Sequence, residues 1–467
     1  RTLGWDFDSS FSRPRGNFPV GSFGHTGWTG SFVWIDPASD TFYIFLSNRV
    51  HPDGSGSVLT LQRELGTIVS EMAGYETFPG DVRIDPRRGT GSTQNGIDVL
   101  GSKRYSPLRG KRIGLITNHT GRDRYGNPTI DLLLGAPGVD LAALFTPEHG
   151  IRGDVETDVS DSVDVHTGLP IYSLYGERRA PAQEQLEDLN ALVFDIQDIG
   201  ARFYTYISTM GLAMEAAAEA GIVFIVLDRL NPIGGAAVEG PVSDDDESKF
   251  IAFHPIAVRH GMTIGELAKM FRAEREIDVE LEVIELRRWR REMYQDVTGT
   301  VWFNTSPNIR SLTAATLYPA IGILERMNVS VGRGTPTPFE LFGAPYVDSE
   351  ELAAALNDEI PAECMRFSPV HFTPDASKFE AEEAGGVRVS LVDRESCNMV
   401  AAGVTFGKVL FDLYGEQAGL EGMTVLLREP EVVEAIRRGD TIAEITALWT
   451  DELESFMERR ESFLIYE

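Results

Sequence analysis

The 467-residue sequence contains only two cysteines, Cys364 and Cys397. Two cysteines exclude a framework of several disulfides and a zinc site built from four thiolates. One disulfide between them and a pair of small buried thiols are both compatible with the sequence. Cysteine usage therefore leaves the redox compartment undetermined.

The sequence also has little positive charge. Its 71 Asp and Glu residues outnumber its 42 Lys and Arg residues, which gives a formal net charge of −29. Such an acidic chain disfavours nucleic acid and anionic lipid as partners. Lysine occurs only six times, so nearly all cations are arginines, whose planar guanidinium pairs well with carboxylates.

No apolar run is long enough to cross a bilayer, and no signal peptide stands at the start. The first residue is Arg1 rather than methionine, and the sequence opens in what resembles the middle of a domain. Any targeting segment would therefore precede the residues given.

Three cofactor-binding or metal-binding motifs are missing from the sequence. It has no GxGxxG after the first predicted parallel strand, no GxxxxGK[ST] and no HExxH, so we expect no cofactor. One metal site is conceivable, but its spacing fits no standard template and an acidic solvated loop explains the same residues better. Its ligands would be His149, Asp154, Asp158 and His166.

The chain is long enough for two or three domains, and its first part predicts a small antiparallel domain. Residues 31–35 and 42–46 alternate as strands around turn residues, and residues 59–72 predict a helix. We place this domain at residues 1–74. Residues 75–95 are rich in Pro, Gly, Arg, Ser and Thr, which is typical of a linker.

Residues 96–242 alternate short apolar runs with helical segments. Continuous apolar runs of this length are typical of strands buried on both faces, and residues 209–220 predict a crossover helix. The predicted strands are 113–116, 141–145, 192–196 and 222–227. The pattern predicts an α/β fold with a doubly wound parallel sheet.

Residues 243–467 predict a second, smaller α/β domain that completes a cleft with the first. Strands are expected at 279–284 and 387–392. Capping boxes at Thr263 and Thr441 each predict a helix start, and we expect the second to open the last long helix.

Polar residues follow each predicted parallel strand, at the edge where open α/β sheets bind ligands. They include Asn118, Glu148, His149, Asp195, Gln197, Asp198 and Asn231. A glycosidase needs one carboxylic acid to protonate the leaving oxygen and a second group to assist the sugar cation or the water. Glu148 is the candidate acid because Pro147 and Gly150 restrict its loop, and Asp195 or Asp198 is the candidate second group. A capping pair at a loop end is the structural alternative for Glu148 and His149.

The segment after the third parallel strand adds Arg202, Phe203, Tyr204 and Tyr206. A guanidinium beside aromatic rings suits a sugar. Aromatic residues that open a helix are also common in protein cores, and Asp198 with Arg202 would equally form a structural ion pair.

Several long segments occur here in one order and carry a family resemblance: residues 117–121, 145–150, 259–268, 306–309 and 328–335. Through them, residues from about 96 to 467 resemble the NamZ-type exo-β-N-acetylmuramidases. The resemblance implies a hydrolase that removes terminal, non-reducing N-acetylmuramic acid from peptidoglycan fragments. It also implies that a Rossmann-like domain and a smaller partner domain form the cleft.

The resemblance also implies site roles. Glu148 is the expected acid, and the expected substrate contacts are Asn118, His149, Gln197, Arg202, Tyr204, Asn231, Asn308 and Arg333. The lactyl carboxylate of muramic acid invites an arginine, and the candidates are Arg202, Arg259, Arg310 and Arg333. Val331 stands where we expect an acidic residue in this family.

Residues 24–30 and 47–52 resemble the last part of a serine β-lactamase-like domain. His25-Thr26-Gly27 corresponds to the strand motif that usually reads Lys-Thr-Gly, but the sequence contains no S-x-x-K, so this segment lacks the acyl-transfer nucleophile. Two alternatives to the glycosidase stay open: a non-catalytic muropeptide-binding module, and part of a bifunctional protein with a penicillin-binding-type serine hydrolase. The resemblance implies a periplasmic or secreted location.

Overall fold

A computed structural model describes residues 18, 22–37, 41–48, 58–73, 93–147, 151, 161–176, 178–243 and 250–467. Within these ranges the chain forms fifteen strands and thirteen α-helices, numbered in chain order. The strands are β1 Phe23–Thr26, β2 Phe32–Asp36, β3 Thr41–Phe45, β4 Arg112–Thr117, β5 Asp140–Thr146, β6 Ser162–Val163, β7 Pro170–Ser173, β8 Ala191–Asp195, β9 Val223–Leu227, β10 Glu239–Val242, β11 Ala257–Arg259, β12 Leu281–Ile284, β13 Leu341–Ala344, β14 Met365–Phe372 and β15 Ala384–Leu391.

The α-helices of the described residues have between four and sixteen residues. They are α1 Leu59–Met72, α2 Gly96–Ser102, α3 Thr129–Leu134, α4 Gln183–Leu186, α5 Tyr206–Ala220, α6 Ile264–Glu274, α7 Leu312–Ile321, α8 Ser349–Glu359, α9 Met399–Tyr414, α10 Met423–Leu427, α11 Glu431–Arg438, α12 Ile442–Ala447 and α13 Thr450–Glu461. None of these described helices combines the length and hydropathy that a bilayer crossing requires.

The chain divides into two compact units. The main-sheet unit comprises Ile84–Arg310 and Leu426–Glu467, and the small-sheet unit comprises Arg1–Arg83 and Ser311–Val425. The domain limits predicted from the sequence stay a prediction.

The main-sheet unit is built on a seven-stranded sheet with the order β12-β9-β8-β4-β5-β7-β6. Every pair is parallel except β6 with β7. The four strands predicted between residues 113 and 227 are confirmed as β4, β5, β8 and β9, and the expected strand at 279–284 is β12, which joins this sheet. The predicted α/β class with a parallel-dominated sheet is therefore correct.

The main sheet is covered on its faces, which explains why its strands are apolar throughout. Leu115, Val193 and Ile225 are wholly buried in a core that also includes Ile97 of α2. Gly114 in β4 allows close packing, because a Cβ there would lie 2.7 Å from the Phe145 ring.

The small-sheet unit contains two three-stranded antiparallel sheets, with the orders β1-β2-β3 and β13-β15-β14. The predicted N-terminal antiparallel strands and the helix at 59–72 are confirmed as β2, β3 and α1. Cys364 and Cys397 form a disulfide beside β14, which decides the question that their number alone left open.

Both predicted capping boxes are present. The Thr263 Oγ1 atom accepts a hydrogen bond from Glu266 N at the start of α6, and Thr441 does the same with Glu444 N. The expectation that Thr441 opens the last long helix is wrong. Its helix α12 has six residues, and the twelve-residue α13 begins at Thr450.

Candidate functional site

The strand order creates a switch point between β4 and β8. From β4 the chain proceeds through β5 and β7 on one side, and from β8 it proceeds through β9 and β12 on the other. In open α/β sheets ligands bind beyond the carboxyl ends of the strands at such a point, because the connections diverge there and leave a crevice. The residues that follow β4 and β8 therefore form the candidate site.

Glu148 and His149 lie outside the described residues, and their predicted roles stay predictions. The described chain reaches Pro147, just after the end of β5. The strand β5 pairs with β4.

Asp195 ends β8 and is committed to a buried ion pair. Its Oδ1 accepts from Arg229 Nε at 2.6 Å, and its Oδ2 accepts from Arg229 Nη2 at 3.0 Å and from Thr129 Oγ1 at 2.5 Å. Asp195 is wholly buried and Arg229 is nearly so. Both oxygens are thus occupied, so this carboxylate ties the ends of β8 and β9 together.

Asp198, three residues later, has a different environment although it is also buried, with 6% exposure. Its Oδ2 accepts from Gly200 N at 2.7 Å and lies 3.5 Å from His260 Nε2. The His260 Nδ1 accepts from Met262 N, so Nε2 carries a hydrogen. No described residue provides a hydrogen-bond partner for Asp198 Oδ1.

Asn118 follows β4 and has 2% exposure. Its Oδ1 accepts from Thr120 N at 2.9 Å and from Thr120 Oγ1 at 2.5 Å, while Nδ2 has no partner in the described part of the chain. Thr120 Oγ1 in turn accepts from Gln197 N at 3.0 Å. A hydrogen-bonded path therefore joins Asn118 to the segment that bears Asp198.

Tyr204 is buried, and it lies close enough to Asp198 for an electrostatic interaction between the two side chains. The side chains of Thr305 and Ser306 lie near its hydroxyl, and its ring packs edge-on against Tyr206 with centroids 5.0 Å apart. Burial raises the pKa of Tyr204, so its phenol stays protonated and remains a hydrogen-bond donor. Asn308 N donates to Ser306 Oγ in the same turn.

Gln197 and Asn231, both predicted substrate contacts, use their amide groups to hold loops. Gln197 Nε2 donates to the carbonyls of Asp198 and Leu230. Asn231 Nδ2 donates to Met262 O, and Gly200, with φ near +87°, is pressed against Asn231 so that a Cβ would lie 2.5 Å from its Oδ1. These two side chains shape the turns around Asp198.

Arg202 is committed to the backbone. Its guanidinium, which is 1% exposed, donates from Nη1 to the carbonyls of Pro241 and Ile256 and from Nη2 to those of Leu426 and Leu427. Four carbonyl acceptors leave this guanidinium little capacity for a substrate carboxylate. The sequence prediction of a substrate contact is not supported by these contacts and stays untested.

The other three arginine candidates differ in exposure. Arg259 is buried, and its guanidinium donates to Glu239 Oε1 at 2.6 Å and to Ile233 O. Arg310 is exposed and donates from Nε to Pro307 O. In the small-sheet unit, Arg333 is half-buried and donates from Nε to Glu325 at 2.7 Å.

Val331 belongs to the small-sheet unit and is almost fully buried, with 3% exposure. Its carbonyl accepts from Phe339 N. An apolar side chain fits that burial.

Asp228, which directly follows β9, anchors the C-terminal segment to the sheet. Its Oδ1 accepts from Arg229 N and Gly265 N, and its Oδ2 accepts from Thr263 Oγ1 and Tyr466 Oη. Complete burial raises its pKa to about 7. The same burial and the neighbouring Asp228 charge raise the pKa of Tyr466.

The described residues contain no group of three or more His, Cys, Asp or Glu side chains that would hold a metal ion. Of the conceivable metal ligands, His166 is exposed, and His149, Asp154 and Asp158 lie outside the described residues.

Sequence reasoning missed two partners in this region, Arg229 and His260. Both stand in segments that the sequence singles out, but the pairing of Arg229 with Asp195 and of His260 with Asp198 depends on tertiary contacts across 34 and 62 positions. Burial of a His and an Arg beside strand ends was the one available signal, and burial is not readable for a single polar residue.

Comparison with known proteins shows a consistent set of relatives. Residues 113–313 match the N-terminal model, and residues 316–466 the C-terminal model, of exo-β-N-acetylmuramidase NamZ. Residues 2–67 match the β-lactamase family. The peptidoglycan β-N-acetylmuramidase NamZ of Bacillus subtilis (strain 168) is 41% identical over 379 residues, which span 80% of this chain and 91% of that protein.

Two solved structures of DUF1343 family proteins from Bacteroides fragilis NCTC 9343 resemble the fold. One has a TM-score of 0.75 and 38% identity and aligns with 80% of this chain and 99% of its own. The other has a TM-score of 0.66 and 29% identity, with 81% and 99% covered.

Proposed function

The chain belongs to the exo-β-N-acetylmuramidase NamZ family, and we propose that it is a glycoside hydrolase that releases terminal, non-reducing N-acetylmuramic acid from peptidoglycan fragments. The Bacillus subtilis relative is named a peptidoglycan β-N-acetylmuramidase. Support from this chain's own structure comes from one observation. Buried polar groups on Asn118 and Asp198 that have no partner among the described residues lie at the switch point of the sheet.

In this proposal Glu148 protonates the leaving oxygen and Asp198 is the second group that assists the sugar cation. Asp198 is preferred to Asp195 because both oxygens of Asp195 are held by Arg229 and Thr129, whereas one oxygen of Asp198 has no partner in the part of the chain that the structure describes. A carboxylate that already neutralises a buried guanidinium has less charge to offer a developing cation.

Arg310 is the proposed candidate for the lactyl carboxylate. Its side chain reaches solvent, and a planar guanidinium pairs well with a carboxylate. Arg333, in the small-sheet unit, stays a sequence prediction. The guanidinium groups of Arg202 and Arg259 are buried against protein acceptors.

The finer description of the main sheet is part of the same proposal. Numbered along the chain as one to six, the parallel strands β4, β5, β7, β8, β9 and β12 have the spatial order 3-2-1-4-5-6. That order is typical of a doubly wound, Rossmann-like sheet. We also propose a periplasmic or secreted location, which the Cys364–Cys397 disulfide supports because disulfides persist in oxidising compartments.

The test of this function is the release of free N-acetylmuramic acid from a muramyl-glucosaminyl disaccharide. We expect the wild-type protein to cleave it and Glu148→Gln to lose roughly 100- to 10,000-fold in kcat, the usual contribution of a general acid. Glu187→Gln, an exposed position after α4, is the matched control and should retain full activity.

Two results would contradict the proposal at different levels. Unchanged turnover by Glu148→Gln removes that residue from the mechanism. A wild-type protein that binds the disaccharide without cleaving it is a muropeptide-binding module instead.

A further inference from the structure

Two polar atoms at the switch point lack partners among the described residues. Asn118 Nδ2 and Asp198 Oδ1 belong to side chains that are 2% and 6% exposed. Buried polar groups are nearly always hydrogen-bonded, because an unpaired one costs the free energy of its lost hydration. Two such atoms on the segments that follow paired strands indicate a place where a ligand supplies the missing bonds.

The two side chains come from neighbouring backbones. β4 and β8 pair in parallel, with Thr117 opposite Asp195, and neighbouring strands lie about 4.8 Å apart. Asn118 follows the first strand directly and Asp198 lies three residues beyond the second. Both side chains therefore start within reach of one small ligand group.

Each of these two atoms has a fixed role as hydrogen-bond donor or acceptor. A carboxylate oxygen accepts hydrogen bonds, so Asp198 Oδ1 is an acceptor. Asn118 Oδ1 accepts from Thr120 N, and a backbone N–H only donates. This bond sets the orientation of the Asn118 amide and leaves Nδ2 as a donor. The subsite thus offers one acceptor and one donor.

One acceptor and one donor match a secondary amide, which has one N–H and one carbonyl oxygen. We infer that Asn118 and Asp198 bind the 2-acetamido group of the terminal sugar, with Asp198 Oδ1 accepting its N–H and Asn118 Nδ2 donating to its carbonyl. This inference rests on the proposed function, because N-acetylmuramic acid carries that acetamido group.

His260 is the positioning residue of this subsite. It is wholly buried, is held through Nδ1 by Met262 N, and its Nε2 lies 3.5 Å from Asp198 Oδ2. Gly200 N donates to the same inner carboxylate oxygen at 2.7 Å. The outer oxygen, Oδ1, is left to the ligand.

The test compares two disaccharides that differ only at carbon 2 of the muramyl ring, one with the acetamido group and one with a hydroxyl. We expect the wild-type protein to favour the acetamido substrate by about 100-fold or more in kcat/KM, because a site built for specific hydrogen bonds rejects an analogue that lacks them. Asn118→Asp puts an acceptor opposite the amide carbonyl and should reduce this preference to less than about tenfold.

Asp198→Asn provides an independent variant if Asn118→Asp fails to fold. Gly200 N requires an acceptor on the inner side, so the new amide turns its NH2 towards the ligand and meets the amide N–H with a donor. The same loss of preference is expected. Asn190→Asp is the matched control, because Asn190 Oδ1 accepts from Arg112 N at the opposite end of the sheet and an aspartate keeps that acceptor.

His260→Gln retains a donor towards Asp198 and should keep the acetamido preference, whereas His260→Phe should lose it. The inference is overturned if the wild-type protein cleaves both substrates equally. It is also overturned if the Asn118 and Asp198 variants lower kcat/KM by the same factor for both, which would mark a purely structural role. Absence of any cleavage by the wild-type protein contradicts the proposed function itself.

Discussion

Two carboxylates of the main-sheet unit stand three residues apart and have opposite environments. Asp195 has both oxygens bound to Arg229 and Thr129, and Asp198 has one oxygen that no described residue contacts by a hydrogen bond. Both are buried. At this edge of the sheet, burial alone therefore does not distinguish a structural carboxylate from a ligand-binding carboxylate.

The useful criterion is whether both oxygens of a buried carboxylate are already hydrogen-bonded within the protein. A fully bonded buried carboxylate contributes to stability through its partners, and its removal leaves those partners unpaired. Removal of a partly bonded carboxylate should cost the protein less stability, and its unbonded oxygen can bind a substrate. Three substitutions test this distinction.

The largest effect is expected for Asp195→Asn. The substitution leaves the Arg229 guanidinium buried without a counter-charge, and breaking one partner of such a pair typically costs about 3–5 kcal/mol. Chemical denaturation measures the loss in the free energy of unfolding. Asp140→Asn breaks the exposed pair with Arg112 and should cost less than about 1 kcal/mol. Equal losses in the free energy of unfolding for both variants would contradict a structural role of the buried Asp195–Arg229 pair.

Asp228→Asn should change the pH dependence of stability. The raised pKa of about 7 means that the folded chain binds the Asp228 proton more tightly than the unfolded chain, whose pKa lies near 3.8. The contribution is complete below pH 4 and is lost as the pH rises through 7. An asparagine resembles the protonated carboxyl, with its oxygen towards Arg229 N and Gly265 N.

We therefore expect Asp228→Asn to gain about 1–2 kcal/mol relative to wild type between pH 5 and pH 8. Thermal unfolding at both pH values measures this. Asp278→Asn, at an exposed position in the same unit, should leave the pH slope as it is. A wild-type protein that becomes more stable across this range relative to Asp228→Asn would refute the sign.

The smallest effect on stability is expected for Asp198→Asn. An amide still accepts from Gly200 N, and no ion pair with arginine is lost, so the free energy of unfolding should change by less than about 1 kcal/mol. Denaturation under the same conditions as for Asp195→Asn gives the comparison directly. A loss near that of Asp195→Asn would place both carboxylates in the structural class.

The parallel strands were predictable from the sequence because each is a continuous apolar run, and such runs mark strands covered on both faces. Thr441 shows the limit of local signals. Its capping box was read correctly as a helix start, but only packing decides that α12 stops after six residues and that α13 begins at Thr450.

The candidate site was predictable in position and less so in detail. Asn118 and Asp198 were expected at the edge because each follows a strand. The commitment of Arg202 to four backbone carbonyls, and the pairing of Arg229 with Asp195, involve residues far apart in sequence. No single-sequence pattern contains such pairings, because they depend on which loops meet after folding.

The bonds of Arg202 have a consequence for the order of folding during synthesis. Two of its four acceptors, Leu426 and Leu427, are translated more than 220 residues after it, and Ser311–Val425 of the small-sheet unit is made in between. While the ribosome translates that insertion, the Arg202 guanidinium of the nascent main-sheet unit still lacks two of its final acceptors, the carbonyls of Leu426 and Leu427. The four acceptors of Arg202 are complete only after the segment that begins at Leu426 has been translated.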